Sequence, residues 1–238
     1  MYEAIILAGG FGTRLRSVVA DVPKPMAPVA GKPFLAWQLD YLIAAGVRRF
    51  ILSVGYRAEL IQTHLGDRYR DAEVCYARED EPLGTGGAIR LALGIASAER
   101  VFVLNGDSLC SLDLAALRSK TDGRPNAIGM CIKHVPDAGR YGAVSVDAAT
   151  GTVLAFAEKA GAAPGWINAG VYDLPRTLMA DTQLATPFSF EKEVLQKALP
   201  GSLMAQAAGD FFIDIGIPKD YARAQTEIPA WIAGSTVK

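Results

Sequence analysis

The first 110 residues alternate between short apolar runs and helical patterns, and this alternation constrains the fold more than any other feature. Apolar runs of strand length occupy residues 4–7, 48–55, 73–77 and 100–107, and segments with helical patterns lie between them. Strands that are connected through helices pair in parallel, and the connecting helices cover both faces of the sheet. The sequence therefore predicts an α/β fold with a mainly parallel sheet and helices on both faces.

The pattern changes in the second half of the chain, where strands no longer alternate with helices. Apolar stretches at 141–146 and 151–159 flank a short turn and predict a hairpin. A further strand is expected after them, together with two late helices at 189–199 and 218–228. No linker or repeat separates the two parts, so we expect a single domain over residues 1–238 whose halves share one sheet.

Composition excludes several classes of function. The 24 basic and 25 acidic residues give a net charge of -1, which argues against a broad nucleic-acid surface. Three separated cysteines and two histidines leave almost no material for a disulfide framework, a zinc site or a Ser-His triad. No apolar stretch is long enough to span a bilayer and no signal-peptide pattern is visible, so we expect a cytoplasmic protein with reduced thiols.

A glycine-rich loop, LAGGFGTRL, follows the first strand. Gly9, Gly10 and Gly12 would let backbone N–H groups approach phosphate oxygens, at the edge where open α/β sheets bind ligands. The loop lacks the ending of a Walker A motif and the third glycine of a dinucleotide fingerprint. Instead Thr13 is followed by Arg14, whose guanidinium could bind two phosphate oxygens at once. An ordinary tight turn with a surface arginine is the alternative.

Two further stretches in the first half offer groups that suit a nucleotide. Lys24 lies between two prolines, which stiffen the backbone and hold the ammonium in place. In EDEPLGTGGAI, glycines open a helix and Glu81 could accept paired hydrogen bonds from the N1–H and N2–H₂ groups of guanine. The alternatives are a solvated loop lysine and a helix N-terminus at which acidic residues are favourable.

Two aspartates follow apolar, strand-like runs, Asp107 in VFVLNGDS and Asp214 in FFIDIGIP. Mg²⁺ takes one or two protein carboxylates together with phosphate oxygens, so the two side chains could share one ion. The alternative for each aspartate is the cap of a helix or a turn.

The second half also contains groups that suit a sugar phosphate, in RYGAV, FAEKA and NAGVY. Glu158 could hold sugar hydroxyls, Lys159 a phosphate, and the amide of Asn168 both donates and accepts. The backbones of Gly142 and Gly170 would allow a sugar ring to approach closely. A charged strand end explains Glu158 and Lys159 equally simply.

Taken together and in this order, these stretches resemble the sugar-phosphate nucleotidyltransferases, or nucleotide-sugar pyrophosphorylases. The resemblance extends from residue 4 to about residue 221, and LAGGFGTRL followed by PKPM is its most specific part. It implies a Rossmann-like fold and transfer of a nucleoside monophosphate from an NTP to a sugar 1-phosphate, with release of pyrophosphate. It also implies a nucleotide-binding half over about 1–110 and a sugar-phosphate-binding half over about 111–238.

The resemblance further implies a role for individual residues. The nucleotide would contact Leu7, Ala8, Gly9, Gly10, Gly12, Thr13, Glu81, Gly84, Thr85 and Gly86. The catalytic side chains would be Arg14, Lys24, Asp107 and Lys159. The sugar phosphate would contact Tyr141, Gly142, Glu158, Lys159, Asn168 and Gly170, and Mg²⁺ would bind Asp107 and Asp214. One departure is Ala160, where many relatives have proline, and it weakens the case for a rigidly held Lys159.

Within the family, DVPKPMAPVAGKPF, LSVGY and EDEPLGTGGAI are similar to the D-glycero-α-D-manno-heptose 1-phosphate guanylyltransferases. This similarity implies GTP and a heptose 1-phosphate as substrates, in the biosynthesis of a polysaccharide. Two alternatives stay open at the level of the sequence: a uridylyl- or thymidylyltransferase for another sugar 1-phosphate, and a non-catalytic regulatory protein that binds a nucleotide sugar. Neither a nucleic acid nor a membrane is expected as a partner, and a homo-oligomer is compatible with the sequence.

Overall fold

The computed structural model describes residues 1–10, 15, 18–19, 22–158, 163–198 and 200–234, without the side chains of residues 157 and 158. The strands are β1 (Tyr2–Leu7), β2 (Pro28–Val29), β3 (Lys32–Pro33), β4 (Val47–Val54), β5 (Arg68–Tyr69), β6 (Ala72–Arg78), β7 (Arg100–Asn105), β8 (Ser108–Cys110), β9 (Ile128–Val135), β10 (Gly142–Val146), β11 (Val153–Glu158), β12 (Gly165–Pro175), β13 (Leu203–Ala207) and β14 (Phe212–Asp214). The α-helices are α1 (Phe34–Ala44), α2 (Ala58–Leu65), α3 (Gly84–Leu93), α4 (Leu114–Ser119) and α5 (Pro218–Gly234). A 3₁₀ turn covers Lys24–Met26 and a π-helical turn covers Glu191–Leu195.

Four parallel strands form the centre of a ten-stranded sheet in the order β7-β1-β4-β6. The chain moves outward from β1 to β4 and β6, and then returns through α3 to β7 on the other side of β1. In open α/β sheets, ligands bind at such a switch in strand order, outside the carboxyl ends of the strands. The predicted α/β fold is confirmed, and the first strands place the ends of β1 and β7 side by side.

Strands from the second half of the chain extend the same sheet. β12 pairs antiparallel with β7, and the β10–β11 hairpin continues beyond β12. β9 also pairs with β12, and β13 pairs with β9. The hairpin predicted from the sequence is thereby confirmed, and the two halves of the chain share one sheet as expected.

Alternating residues of the central strands face two separate layers of helices. Ile6 in β1 packs in a core cluster with Leu39 of α1, whereas the neighbouring Ile5 packs in a second cluster with Ile89 of α3. Side chains of a strand point alternately to opposite faces, so a strand covered on both sides is apolar at nearly every position. This explains the continuous apolar run at the start of the chain.

Part of the second half differs from the sequence-based expectation. The helix predicted at 189–199 is only a π-helical turn, in which Gln196 N donates to Glu191 O at 2.9 Å. Tertiary contacts of this segment outweigh its helical propensity: the Phe190 ring packs edge-on against Tyr172, and Glu191 Oε1 accepts a hydrogen bond from Asn168. The strands β9 and β13 were not predicted.

Candidate active site

A cleft of about 810 Å³ lies over the carboxyl ends of β1, β4, β6 and β7. It is lined by Leu7, Gly9, Gly10, Lys24, Pro25, Ser53, Gly55, Tyr56, Arg78, Glu79, Asp80, Glu81, Pro82, Gly84, Thr85, Ala88, Asn105, Gly106, Asp107, Asp214 and Gly216. The volume is that of a typical small-molecule site. The cleft therefore occupies the switch point of the sheet and contains residues from most of the motifs that the sequence singles out.

The beginning of the glycine-rich loop lies at the wall of this cleft. A Cβ on Gly9 would stand 2.8 Å from Glu79 Oε1 and 3.2 Å from Gly55 N, so a larger residue here would have to displace the Glu79 carboxylate and crowd the backbone at Gly55. Gly10 is exposed and lines the cleft, and among the described residues no atom lies within 4 Å of its Cβ position. Ala8 is buried in the core and does not line the cleft. Gly12, Thr13 and Arg14 lie outside the described residues.

Lys24 joins the two aspartates that were expected to share a metal. Its Nζ donates to Asp107 Oδ2 at 2.5 Å and lies 3.7 Å from Asp214 Oδ1. The two carboxylates come from the turn after β7 and from the end of β14, which pairs with β8. Ile215 N donates to Asp107 O at 3.0 Å, so backbone as well as side chains connects the two segments.

Two glycines make this close arrangement feasible. A Cβ on Gly106 would stand 2.5 Å from Leu7 O, to which Gly106 N donates a hydrogen bond of 3.0 Å. A Cβ on Gly216 would stand 2.8 Å from Asp214 Oδ1 and 3.0 Å from Lys24 Nζ. The NGD and DIG sequences are therefore explained by tight contacts around the two carboxylates.

The electrostatics of this cluster favour the binding of a further cation. Burial of the Asp214 carboxyl and, second, the negative charge of Asp107 raise the pKa of Asp214 above its ordinary value, although Lys24 acts in the opposite direction. Two carboxylates share one ammonium, which leaves oxygen lone pairs available. The described residues contain no group of three or more His, Cys, Asp or Glu side chains suited to a metal. Mg²⁺ needs only one or two carboxylates when phosphate oxygens complete its shell, so these residues fit it.

The second glycine-rich stretch is explained largely by packing against the other half of the chain. A Cβ on Gly84 would stand 2.5 Å from Phe188 O, and a Cβ on Gly86 would stand 2.1 Å from the Phe188 ring. Gly86 is buried and does not line the cleft, whereas Gly84 and Thr85 do. Thr85 Oγ1 accepts a hydrogen bond from Phe190 N at 2.9 Å. The glycine at 86 thus accommodates an aromatic ring of the protein itself rather than a ligand.

Glu79 is a residue of this cleft that the sequence analysis missed. Its carboxylate accepts hydrogen bonds from Ser53 Oγ at 2.9 Å and from Leu83 N at 3.1 Å, so its orientation is fixed. Glu81, the acidic residue selected from the sequence, also lines the cleft but is exposed. Sequence alone does not separate the three acids of EDE, because what distinguishes Glu79 is its contact with Ser53 of β4 and with Leu83, just before α3.

The described residues that were expected to bind the sugar phosphate lie on the other side of β7 from the parallel strands β4 and β6, and none of them lines the cleft. The amide of Asn168 is largely engaged within the protein: Nδ2 donates to Tyr172 OH at 2.6 Å and to Glu191, and Oδ1 accepts from Gly170 N at 3.0 Å. Gly170 has a positive φ of 72°, and a Cβ there would stand 2.4 Å from Asn105 Nδ2. The glycine of the NAG sequence therefore allows close packing against Asn105 at the end of β7.

The remaining sugar-side residues surround the hairpin. Gly142 pairs with Glu158 in the β10–β11 register, but the side chain of Glu158 and all of Lys159 lie outside the described residues. The Tyr141 ring packs edge-on against Phe212 at 5.7 Å, and burial raises its pKa to about 12, which keeps the hydroxyl protonated at neutral pH. Tyr141 thus lies next to the strand that ends in Asp214.

Arg140 is a second residue that the sequence analysis missed. Its Nη2 lies 3.6 Å from Asp214 Oδ2 and its Nη1 donates to Asp220 Oδ2 at 2.5 Å. A basic residue beside Tyr141 is visible in RYGAV, but its partners are 74 and 80 residues further along the chain. The contact of Arg140 with Asp214 links the sugar-side hairpin to the Lys24, Asp107 and Asp214 cluster.

Comparison with known proteins agrees with this geometry. The family model for nucleotidyl transferases matches residues 3–230, and the chain therefore belongs to that family. The resemblance expected from the sequence is confirmed. Among the described residues no helix is long and apolar enough to cross a membrane.

Several relatives are similar over their whole length. The chain is 41% identical to a D-glycero-alpha-D-manno-heptose 1-phosphate guanylyltransferase of Aneurinibacillus thermoaerophilus, over 97% of this chain and 100% of the relative. It is 40% identical to the Campylobacter jejuni protein of the same name, over 92% and 96% of the two chains. The crystal structure of HddC from Yersinia pseudotuberculosis matches with a TM-score of 0.84 and 39% identity, over 95% and 99% of the chains. The same protein complexed with GMP-PN matches equally well.

Proposed function

We propose that this enzyme transfers GMP from GTP to a sugar 1-phosphate, D-glycero-α-D-manno-heptose 1-phosphate, and releases pyrophosphate. The observation that carries the proposal is the cluster of Lys24, Asp107 and Asp214, which lines the same cleft as Gly10 at the switch point of the sheet. Relatives of this chain that are similar over their full length are guanylyltransferases of that sugar phosphate. The nucleotide would lie over the first half of the chain and the sugar phosphate over the second half.

The chemistry requires no general base. A sugar 1-phosphate is already ionised at neutral pH, so its oxygen can attack the α-phosphorus of GTP while the bond to the departing pyrophosphate breaks. Such a displacement depends on in-line positioning and on stabilising the charge of the phosphates. Lys24 would supply positive charge beside the α-phosphate, and Arg14 and Lys159 would do so for the pyrophosphate and the sugar phosphate. The scarcity of histidine agrees with this mechanism.

Asp107 and Asp214 would hold Mg²⁺. The bound ion would supply a local positive charge that neutralises phosphate oxygens of both substrates. Lys24 compensates part of the negative charge of the two carboxylates and fixes their positions through its contact with Asp107. Gly216 N donates to Asp214 Oδ1 at 2.7 Å and orients that carboxylate further.

Selection of guanine would depend on the acidic stretch before α3. A carboxylate accepts from both the N1–H and N2–H₂ groups of guanine, whereas uracil and thymine offer a single N–H on that edge. Glu79 is the stronger candidate for this contact because two hydrogen bonds hold it in place, whereas water competes for the exposed Glu81. Glu81 stays the second candidate.

A matrix of nucleoside triphosphates against sugar 1-phosphates, measured by pyrophosphate release with Mg²⁺, tests the proposal. We expect the highest kcat/KM for GTP with the heptose 1-phosphate, and a kcat lower by roughly 10³-fold for the Asp107→Asn variant. A maximum with UTP or dTTP would instead identify the first alternative function. Binding without pyrophosphate release from any pair would identify a regulatory protein. Cytoplasmic location and a homo-oligomeric state stay predictions from the sequence, to be measured by cell fractionation and light scattering.

A further inference from the structure

The amide of Gln38 connects helix α1 to the turn that presents Asp107. Gln38 is fully buried, and its Nε2 donates to Asn105 O at 2.9 Å and to Ser108 O at 3.0 Å. These two carbonyls flank Gly106 and Asp107 in the chain. One NH₂ group therefore holds both ends of the turn between β7 and β8.

This turn needs support from outside its own backbone. Gly106 lies so close to Leu7 O that a Cβ there would stand at 2.5 Å, so the turn is pressed against the end of β1. At its tip, Asp107 contacts Lys24, which also lies 3.7 Å from Asp214, so a shift of the turn would move the Asp107 carboxylate relative to both groups. A backbone tied at both ends of the turn resists that movement.

Within the described part of the chain, the amide oxygen of Gln38 makes no comparable contact, so the NH₂ group accounts for the presence of an amide at this position. Its Oε1 is buried and has no hydrogen-bond partner among the described residues. An unsatisfied buried oxygen costs stability, and an apolar side chain of similar size would avoid this cost. Gln38 also belongs to a helix whose buried neighbours, Leu35, Leu39 and Leu42, are all apolar. The two hydrogen bonds to the turn are the feature that only an amide provides here.

We propose that Gln38 is a positioning residue for Asp107: it fixes the turn from Asn105 to Ser108 and thereby the geometry of the metal and nucleotide site. This inference rests on the proposed function, because it assumes that Asp107 binds Mg²⁺ and phosphate. Partners of this kind, one step removed from a metal ligand, change metal affinity or activity by about 10- to 100-fold when they are lost.

The test compares Gln38→Met with Tyr41→Phe. Methionine keeps the size of the side chain and removes the donors. Tyr41 lies one turn further along α1 and is also buried, but its hydroxyl donates to Leu112 O and accepts from Leu112 N, beyond β8. Both variants remove two hydrogen bonds between α1 and the segment after β7, and only the first set flanks Asp107. The control is thus matched in place and in kind.

Three quantities are measured for each variant: Tm, steady-state kinetics of pyrophosphate release, and Mn²⁺ affinity by electron paramagnetic resonance with a non-hydrolysable GTP analogue. For Gln38→Met we expect kcat to fall roughly 10-fold, the KM for GTP to change less than about 2-fold, and Mn²⁺ to bind roughly 10-fold more weakly. For Tyr41→Phe we expect a similar decrease in Tm, with kcat and Mn²⁺ affinity close to those of the wild type.

A Gln38→Met protein with wild-type kcat and Mn²⁺ affinity and only a lower Tm would overturn the inference, since the residue would then only stabilise the fold. If this variant does not fold, Gln38→Asn replaces it. That variant keeps an amide but shortens it by one methylene, and an intermediate decrease in kcat and Mn²⁺ affinity is expected. Wild-type protein without activity on any substrate pair would contradict the proposed function, whereas the Mn²⁺ measurement would still decide the role of Gln38.

Discussion

Strand β7 has a charge cluster near each end, and the two clusters differ in how completely their charges are paired. At the beginning of the strand, Asp173 is fully buried and accepts from Arg100 Nε at 2.7 Å, Arg118 Nε at 2.7 Å and Thr121 Oγ1 at 3.0 Å. Just beyond its end, Asp107 and Asp214 share Lys24 and line an open cleft.

The difference separates a structural ion cluster from a candidate active site. Around Asp173, one carboxylate meets two guanidinium groups and a hydroxyl, so its oxygens have strong donors and no free face. Around Lys24, two carboxylates meet one ammonium, and the second oxygen of Asp214 lies 3.6 Å from Arg140 Nη2. Closed clusters of the first kind hold the fold together, whereas an excess of anions facing a cleft can bind a cation and its phosphates.

The largest expected effect concerns the open cluster. Asp107→Asn and Asp214→Asn should each lower kcat by roughly 10³-fold, because each removes a charged metal ligand and weakens the stabilisation of the phosphates. The double variant should be scarcely worse than either single variant, since the second change removes a ligand from a site that is already broken. Pyrophosphate release at several Mn²⁺ concentrations measures both points.

Partial rescue of each single variant by raised Mn²⁺ or Mg²⁺ is expected alongside this non-additivity. Effects that multiply, without rescue by metal, would mean that the two aspartates act independently and that Asp214 only caps its turn. In that event Asp214 would have a structural role like that of Asp173, and Asp107 alone would hold the ion.

Asp173→Asn should have the opposite effect: it should lower the stability of the fold and leave kcat almost unchanged. It leaves Arg100 and Arg118 without their shared carboxylate in a mostly buried setting, and breaking such a cluster costs about 3 kcal/mol. We expect the free energy of unfolding in urea to fall by about that amount, while the kcat of the folded protein changes less than about 2-fold. A large loss of kcat at low temperature, where the variant is folded, would remove the distinction between the two clusters.

The same comparison explains how much of the site the sequence revealed. Asp107 and Asp214 are visible because each follows an apolar run and precedes a glycine, and because the order of motifs resembles a known family. Gln38, Glu79 and Arg140 gave no such signal. Their significance lies in partners from distant parts of the chain: Gln38 with the turn after β7, and Arg140 with Asp214.

The glycines show a related limit of sequence reasoning. The sequence associates them with close approach of a ligand, and for Gly10, which lines the cleft, this stays a prediction. Gly86 and Gly170 are required instead by Phe188 and Asn105 of the protein itself. A glycine-rich motif therefore predicted that something approaches the backbone, but not whether the approaching group belongs to a ligand or to the chain. The parallel strands were predicted well because their apolar runs follow directly from burial on both faces.

A smaller effect is expected at the acidic stretch before α3. Here the comparison is between Glu79, whose carboxylate is held by two hydrogen bonds, and the exposed Glu81. Glu79→Gln should narrow the preference for GTP over UTP by roughly 10-fold, because it aims an amide donor at the donor edge of guanine. Glu81→Gln is the matched control, and its effect should stay within about 3-fold because water competes at that exposed position. Ratios of kcat/KM for the two nucleotides give the measurement, and the reverse ranking would assign base selection to Glu81.

The smallest expected effect concerns the pH dependence of stability, and it follows from the crowding of Asp214. Burial and Asp107 raise the pKa of Asp214, so the folded state disfavours the ionised carboxylate. The carboxyl therefore adds most to stability below its unfolded pKa, and that contribution is lost as pH rises through the higher folded pKa. Asp214→Asn should accordingly gain Tm relative to the wild type as pH increases from about 4 to about 7, in the presence of a chelator that removes bound metal.

Asp147 provides a control of opposite sign in the turn between β10 and β11. Its carboxylate accepts hydrogen bonds from the backbone N–H groups of Ala149 and Thr150, which lower its pKa. Its contribution to stability is therefore present above the unfolded pKa and is lost as pH falls through the lower folded pKa. Asp147→Asn should lose Tm relative to the wild type as pH rises from about 2 to about 5, whereas Asp214→Asn gains Tm as pH rises from about 4 to about 7. If Asp214→Asn also lost Tm relative to the wild type as pH rises, its neighbours would not destabilise the ionised Asp214 carboxylate. The charges of the open cluster would then be as well compensated as those of the closed cluster around Asp173.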